Sequence, residues 1–449
     1  MHLDTPALLR VGTAGLALLL GLSACSTSTP PHSSNAPHSS PGESVPSSSG
    51  SPVEFAKSAT GSLVWADGTK VKAKQQDLGK AREAVEGSDF QKVFSASTQQ
   101  RADHEFIPLS IDSAGVPIGL YGPAAAIADY AKDGTRIGPG ELNIGRYDSG
   151  TFQPFTTQGA AKKKYTPMNT NIAISVSDVG IFWSESTEGD TEDTDWRILY
   201  APRGSTEVTV LASKKDLKAG DQSDEYQFVL SPLVLGNRVY WEYYQYQHDE
   251  GTAINKVFSV DLNTPGVVRE DIGNSVEGPS GNAGWWGDGL LSSALLEKDT
   301  DSGLVETFSS YSLAGKRKEV LYLREDPAEP SHATQIGTNK PYFSLTHAES
   351  VFLVDTAKRE ALVFSGPKDS QVSGATHCGS RLSWTFINDG AEYATERYIF
   401  DSERNELLLV SGAQDTGSSW CTGEYLGVTV LDSAGAPTVV EDLITRWER

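Results

Sequence analysis

Asp178-Val179-Gly180-Ile181-Phe182-Trp183 is a turn running into an apolar strand, and the same phrase returns along the chain. It reads Asn237-Arg238-Val239-Tyr240-Trp241, then Asp288-Gly289-Leu290-Leu291-Ser292, Asn339-Lys340-Pro341-Tyr342-Phe343 and Ser380-Arg381-Leu382-Ser383-Trp384. A weaker copy is Gly423-Glu424-Tyr425-Leu426-Gly427, and the last residues of successive copies lie 58, 51, 51, 41 and 43 positions apart. Behind each of the first five comes a second unit of strand, tight turn and strand. These span 196–211 around Gly204, 256–270 around Gly266, 307–323 around Gly315, 350–364 around Lys358 and 397–410 around Arg404. Weaker copies of it are 107–121, around Asp112-Ser113-Ala114-Gly115-Val116-Pro117, and 141–155, around Ser149-Gly150. Two hairpins per 41 to 58 residues is the arithmetic of a four-stranded propeller blade. A sandwich has no reason to repeat its internal spacing.

The expected fold is therefore an all-β propeller over residues 53–449, with seven blades as the best total and six or eight as alternatives. Five blades are plain, and the remainder fall in the less regular stretch before residue 170. The last repeat is short, and an unclosed ring would leave a row of unpaired backbone groups. An N-terminal strand near Leu63-Val64-Trp65 is expected to complete it. Residues 75–85, around Leu78, Ala81 and Ala84, are the one candidate helix. The repeat pattern resembles the propellers of TolB-like and WD40-like bacterial envelope proteins. The blades lack a regular Gly-His to Trp-Asp signature, so the WD40 family proper is not implied.

The first residues carry an address. Arg10 precedes an apolar run at 11–20 that is too short for a membrane span, and small residues follow. This is the layout of a secretory signal peptide over residues 1–24. Leu22-Ser23-Ala24-Cys25 resembles the lipobox of bacterial lipoproteins. The resemblance implies that the Cys25 thiol carries a diacylglyceryl group and becomes the first residue after cleavage. It also implies a chain held to the extracytoplasmic face of the cell membrane. Two or more acyl chains suffice for stable anchoring. Residues 26–52 are nearly all Ser, Thr, Pro, Gly and His, with Glu43 the only formal charge. No core can form from that composition, so residues 25–52 read as anchor and tether with a mean reach of about 30 Å. His32 and His38 within it read as solvated.

Three cysteines exclude a disulfide-stapled miniature scaffold, and a net charge of −22 argues against a nucleic-acid partner. Cys378 precedes Trp384 by six residues, and Cys421 precedes Gly427 by six. The pair thus occupies matching places on one rim of neighbouring blades. In an exported protein such a pair is expected to bridge, with two separate buried thiols as the alternative.

The search for catalytic motifs is negative. The chain has no Gly-x-Ser-x-Gly elbow, His-Glu-x-x-His pair, P-loop or dinucleotide fingerprint, so no catalytic residue, metal or cofactor is assigned. His377 and Cys378 are adjacent, so on a strand they point to opposite faces and are badly placed to exchange a proton. The acidic stretches 188–195 and 299–303 lack converging calcium-loop spacing and read as solvated hairpin tips. Residues 432–438 echo the Asp-containing turn of sialidase-type propellers without its Trp. Aromatic residues crowd at Tyr240, Trp241, Tyr243, Tyr244 and Tyr246, where packing between blades is the expected role. Trp285, Trp286, His377 and Trp420, read as loop residues, are candidate reporters of a ligand-binding face at the central mouth or a rim. The reading is a membrane-anchored binding or scaffolding module whose partner is an envelope protein or a glycan. A secreted propeller enzyme that cleaves glycans with two carboxylates is the alternative, and a structural subunit of an envelope complex is a third.

Overall fold

The computed structural model describes residues 63–97, 104–123, 143–157, 166–167, 174–186, 195–218, 227–229, 232–247, 252–273, 283–297, 304–324, 336–368, 370–388, 394–431 and 440–447. The architecture is a β-propeller of seven four-stranded antiparallel blades. Blade 1 is His104–Ile111, Pro117–Pro123, Asn143–Asp148 and Thr151–Pro154. Blade 2 is Ser175–Val176, Gly180–Ser186, Trp196–Pro202 and Glu207–Ser213. Blade 3 opens with a divided strand, Gln227–Val229 and Leu233–Leu235, and continues with Arg238–Gln247, Thr252–Asp261 and Val268–Ile272. Blade 4 is Ala283–Trp286, Gly289–Glu297, Leu304–Ser312 and Arg317–Arg324. Blade 5 is Ile336–Asn339, Tyr342–His347, Ser350–Asp355 and Glu360–Ser365. Blade 6 is Ser370–Cys378, Arg381–Asn388, Ala394–Asp401 and the first part of the long strand Glu406–Thr422. The rest of that strand opens blade 7, followed by Tyr425–Leu431, Val440–Trp447 and the N-terminal strand Phe90–Ser97.

Each quoted turn-and-strand phrase is the turn between the first and second strands of a blade plus the second strand itself. Each following unit is the outer hairpin. The weak copies at 107–121 and 141–155 prove to be the inner and outer hairpins of one blade, blade 1. The first strands of blades 4, 5, 6, 7, 1 and 2 touch in succession, which places them innermost, around the axis.

Turn chemistry repeats as well. Asp355 Oδ1 accepts the backbone N–H groups of Ala357 and Lys358, and Asp401 Oδ1 accepts those of Glu403 and Arg404. Both hairpins then need a left-handed residue, supplied by Arg359 at φ 57° and Asn405 at φ 51°. In the other outer hairpins Gly204, Gly266 and Gly315 stand in the left-handed region at no steric cost.

The core lies between blades. Trp183, Trp241, Phe343 and Trp384 hold one repeated position on the second strand, and each is no more than 1% exposed. They pack against the preceding blade, and truncating any one to Ala is expected to cost roughly 3–5 kcal/mol. The following residue faces the next blade and is small in blades 2, 4, 5 and 6, namely Ser184, Ser293, Ser344 and Thr385, all buried. Large against small across each interface is how flat sheets fill the space between them.

Ring closure corrects one expectation. The closing strand is N-terminal, but it is Phe90–Ser97, which pairs with Val440–Trp447. Leu63–Trp65 pairs instead with Arg317–Arg324, on the outer edge of blade 4. Three residues cannot cover the eight-residue edge of Val440–Trp447, whereas Phe90–Ser97 matches its length. Phe90 packs against Trp447 with ring centres 5.0 Å apart and tilted by 30°, and Phe94 meets Phe106 and Tyr147 of blade 1 edge-on.

Between these two strands the chain follows the rim. Lys72–Gln76 pairs in parallel with Glu360–Ser365 of blade 5, and Arg82–Glu83 pairs in parallel with Glu406–Thr422 in blade 6. The stretch 63–97 is thus a strap along the outer edges of blades 4 to 7. The helix expected over 75–85 does not form: a strand, a single 3-10 turn at Leu78–Lys80 and a second strand take its place. Gly79 interrupts the pattern, and the unpaired edges of blades 5 and 6 supply backbone partners that a short helix would forgo.

Side chains fasten the strap. Arg359 donates to Asp67 and Thr69 at 2.7 Å each, with its guanidinium 4.9 Å from the Trp65 ring centre. Arg82 donates two hydrogen bonds of 2.8 Å to Asp89 and a third of 2.8 Å to Glu406. That guanidinium pushes the Asp89 carboxyl down to about 2.

Candidate functional site

The four candidate ligand residues all lie near the ends of innermost strands, Trp285 and Trp286 in blade 4, His377 in blade 6 and Trp420 in blade 7. The structure does not bring them together. Trp285 packs into the cluster of Tyr240, Val257, Leu290 and Tyr311 between blades 3 and 4. Trp286, its neighbour, turns the other way, donating through Nε1 to Tyr342 O at 3.0 Å and meeting Phe343 edge-on. The Trp420 Nε1 donates to Pro108 O at 3.0 Å, tying blade 7 to blade 1. Its ring occupies the space beside Gly427, where a Cβ would lie 2.0 Å from the indole. His377 Nε2 is 3.1 Å from Ser344 Oγ of blade 5, and burial lowers its pKa to about 4, so the imidazole is neutral at pH 7.

Cys378 and Cys421 form a disulfide across the innermost strands of blades 6 and 7, with Cα atoms 5.3 Å apart. Cys378 thus faces blade 7 while His377 faces blade 5, as alternation on a strand requires. Of the aromatic run, Tyr240, Trp241 and Tyr243 are buried between blades. The sequence features at Cys25, His32, His38, 188–194, 299–303 and 432–438 lie outside the described residues. Among the described residues, no group of three or more His, Cys, Asp or Glu side chains is arranged to hold a metal ion.

Besides Asp89 and Asp355, two more buried carboxylates are engaged. Glu185 accepts from Trp183 Nε1 at 3.0 Å and from Arg197 Nη2 at 2.6 Å, and Asp401 pairs with Arg381 at 3.1 Å. Glu242 differs. It is 2% exposed, its Oε1 has no hydrogen-bond partner, and burial raises its pKa to about 8. It occupies the position that is Ser or Thr in blades 2, 4, 5 and 6. The facing position on blade 4, aromatic in four other blades, is Ser292. Glu242 shares a sheet face with Tyr240, and Ser292 shares one with Leu290. Tyr240 and Leu290 meet in one cluster, so the large and small partners are exchanged at this interface.

A cavity of about 210 Å³ opens between blades 1 and 2, at the ends that carry the tight turns. Its walls come from the inner and outer turns of blade 1, including Asp112, Val116, Arg146 and Asp148. Blade 2 contributes Val176, Ile181 and Arg203. None of these was singled out in the sequence as a site residue.

The chain matches no family model and no curated protein. Among solved structures it is similar to puromycin hydrolase at 13% identity and a TM-score of 0.46, over 75% of this chain and 51% of that one. It is similar to Pyrococcus horikoshii acylaminoacyl peptidase at 11% identity and a TM-score of 0.46, over 76% and 51%. The Neurospora crassa Pan2 WD40 domain aligns at 10% identity and a TM-score of 0.41, over 82% and 98%. The chain spans about half the length of the two hydrolases. These are likenesses of fold alone.

Proposed function

We propose that the chain is a lipid-anchored, extracytoplasmic propeller that acts as a binding or scaffolding module of the cell envelope. The lipobox-like Leu22-Ser23-Ala24-Cys25 supports the anchor. The observation that carries the module reading is the route of the strap. Its pairings are to the outer edges of blades 4 to 7, so among the described residues the strap covers no innermost strand and leaves those strands to meet a ligand. The partner class is an envelope protein or a glycan.

The test compares the full chain with its Cys25→Ser form in membrane fractionation, followed by cross-linking in the intact envelope. The expected result is loss of membrane partition in the variant and a partner recovered only with the anchored chain. Equal partition of the two forms would overturn the anchor. Cleavage of a glycan by the purified chain would overturn the module in favour of an enzyme.

A further inference from the structure

We propose that the cavity between blades 1 and 2 binds a small carboxylate that carries an apolar group, with Arg146 and Arg203 as its anion receptors. The proposal rests on the reading of the propeller as a binding module and names a ligand class for it.

The central observation is Arg146. Its side chain is 13% exposed, and it makes no hydrogen bond. A guanidinium has five N–H donors, and buried donors are almost always paired. The Nε is sealed from solvent and makes no hydrogen bond among the described residues, its ion pair with Asp112 Oδ2 at 3.6 Å lying beyond hydrogen-bond reach. Asp112 is itself held by its turn, with Oδ1 accepting from Ala114 and Val116 N–H. Phe155 lies 5.8 Å from the guanidinium carbon and fixes one face of it. The group is therefore positioned but unsatisfied, and it lines the cavity.

Arg203 reaches the same cavity from blade 2. It is exposed, its backbone N–H is bound to Val179 O, and its side chain makes no hydrogen bond or ion pair among the described residues. Two forked cations on one cleft match the planar geometry of a carboxylate.

The rest of the lining sets the remainder of the ligand. Val116, Val176 and Ile181 give an apolar wall. Asp112 and Asp148 offset the charge of the two arginines, so an anion here is held by the directed N–H donors of the guanidinium groups rather than by net charge, and the apolar wall favours a carboxylate with a hydrocarbon body over phosphate. The volume is roughly that of seven waters, enough for a single ring or a short chain.

Isothermal titration calorimetry of the full chain in detergent tests this with three probes: benzoate, its uncharged isostere benzamide, and inorganic phosphate. Benzoate is expected to bind saturably, with benzamide and phosphate each at least about tenfold weaker. Arg146→Gln and Arg203→Gln are each expected to weaken benzoate by at least about tenfold. Arg203 is exposed, so its variant decides the matter even where Arg146→Gln unfolds the blade. No saturable benzoate binding, equal binding of benzamide, phosphate as tight as benzoate, or Arg203→Gln binding as wild type would each overturn the proposal. A chain that fails here yet still recovers an envelope partner through its Cys25 anchor loses this ligand and keeps its role as a module.

Discussion

Replacing Glu242 with Gln isolates the energetic consequence of a carboxyl shut between blades 3 and 4. The side chain is 2% exposed, and burial alone raises its pKa from 4.5 to about 8. Below pH 4.5 both the folded and the unfolded chain hold the proton, and ionisation costs nothing. Between pH 4.5 and 8 the folded chain keeps a proton that the unfolded chain releases. Folding stability therefore falls as pH rises through that window, by about 1.4 kcal/mol per unit, and levels off above 8. The full span corresponds to about 5 kcal/mol. Gln has the same shape and no ionisation, so Glu242→Gln removes this dependence while every other titration is shared. Urea unfolding of both forms at pH 5, 6, 7 and 8 reads the difference directly. At pH 5 the two midpoints are expected to lie close together, and at pH 8 the variant is expected to be more stable by several kcal/mol. Parallel profiles across the range would refute the reasoning, because they would mean that Glu242 is hydrated or paired in solution.

Three further outcomes are expected. Cys421→Ser opens a loop closed over a sequence separation of 43 residues and is expected to lower stability by up to about 4 kcal/mol, seen as a shift in the guanidinium midpoint that reductant reproduces in the wild type. A midpoint that neither change moves would show that the bond does not form. A chain beginning at residue 87 loses the strap with buried Leu63 and Trp65 but keeps the closing strand, and is expected to aggregate less than one that also loses Phe90–Ser97. One beginning at residue 98 bares the Val440–Trp447 edge and is expected to aggregate in light scattering, and monomeric behaviour would argue against closure by Phe90–Ser97. Arg82→Ala leaves Asp89 without its guanidinium and is expected to cost about 1 kcal/mol at pH 7, the half-exposed Arg82 being partly screened. Because the Asp89 pKa is lowered to about 2, that contribution is present above the usual carboxylate range and fades as pH falls through 2. A cost unchanged at pH 2 would rule out the ion pair as its source.

The blades were legible because each hairpin is nearly self-contained in sequence. Trp183, Trp241, Phe343 and Trp384 recur with their turns, and each lies on the second strand of a blade, paired to the third. The same bookkeeping placed Cys378 and Cys421 on matching strand ends, where they bridge. The exchange at Glu242 was visible to anyone aligning the repeats, since the corresponding residues are Ser184, Ser293, Ser344 and Thr385. What was hidden is the burial that turns this Glu into a proton-holding group. Arg146 and Arg203 stand in separate blades, on turns with no motif, so nothing in their spacing marked them. The four aromatic and histidine candidates were expected on loops, but they lie within innermost strands, where each faces a different interface between blades.

The amino-acid sequence by itself determined the blade, because hairpin strands pair with near neighbours and the alternation of apolar residues sets which face is buried. Only the tertiary structure decided how the ring closes and what its rim carries. Within residues 63–97 the sequence reads as a ring-closing strand at 63–65 and a helix at 75–85, yet the stretch pairs along four blades with strands more than 200 positions away. Those pairings exist because radial assembly leaves outer edges with unpaired backbone groups, and a segment with weak local preference takes the shape of the edge it meets.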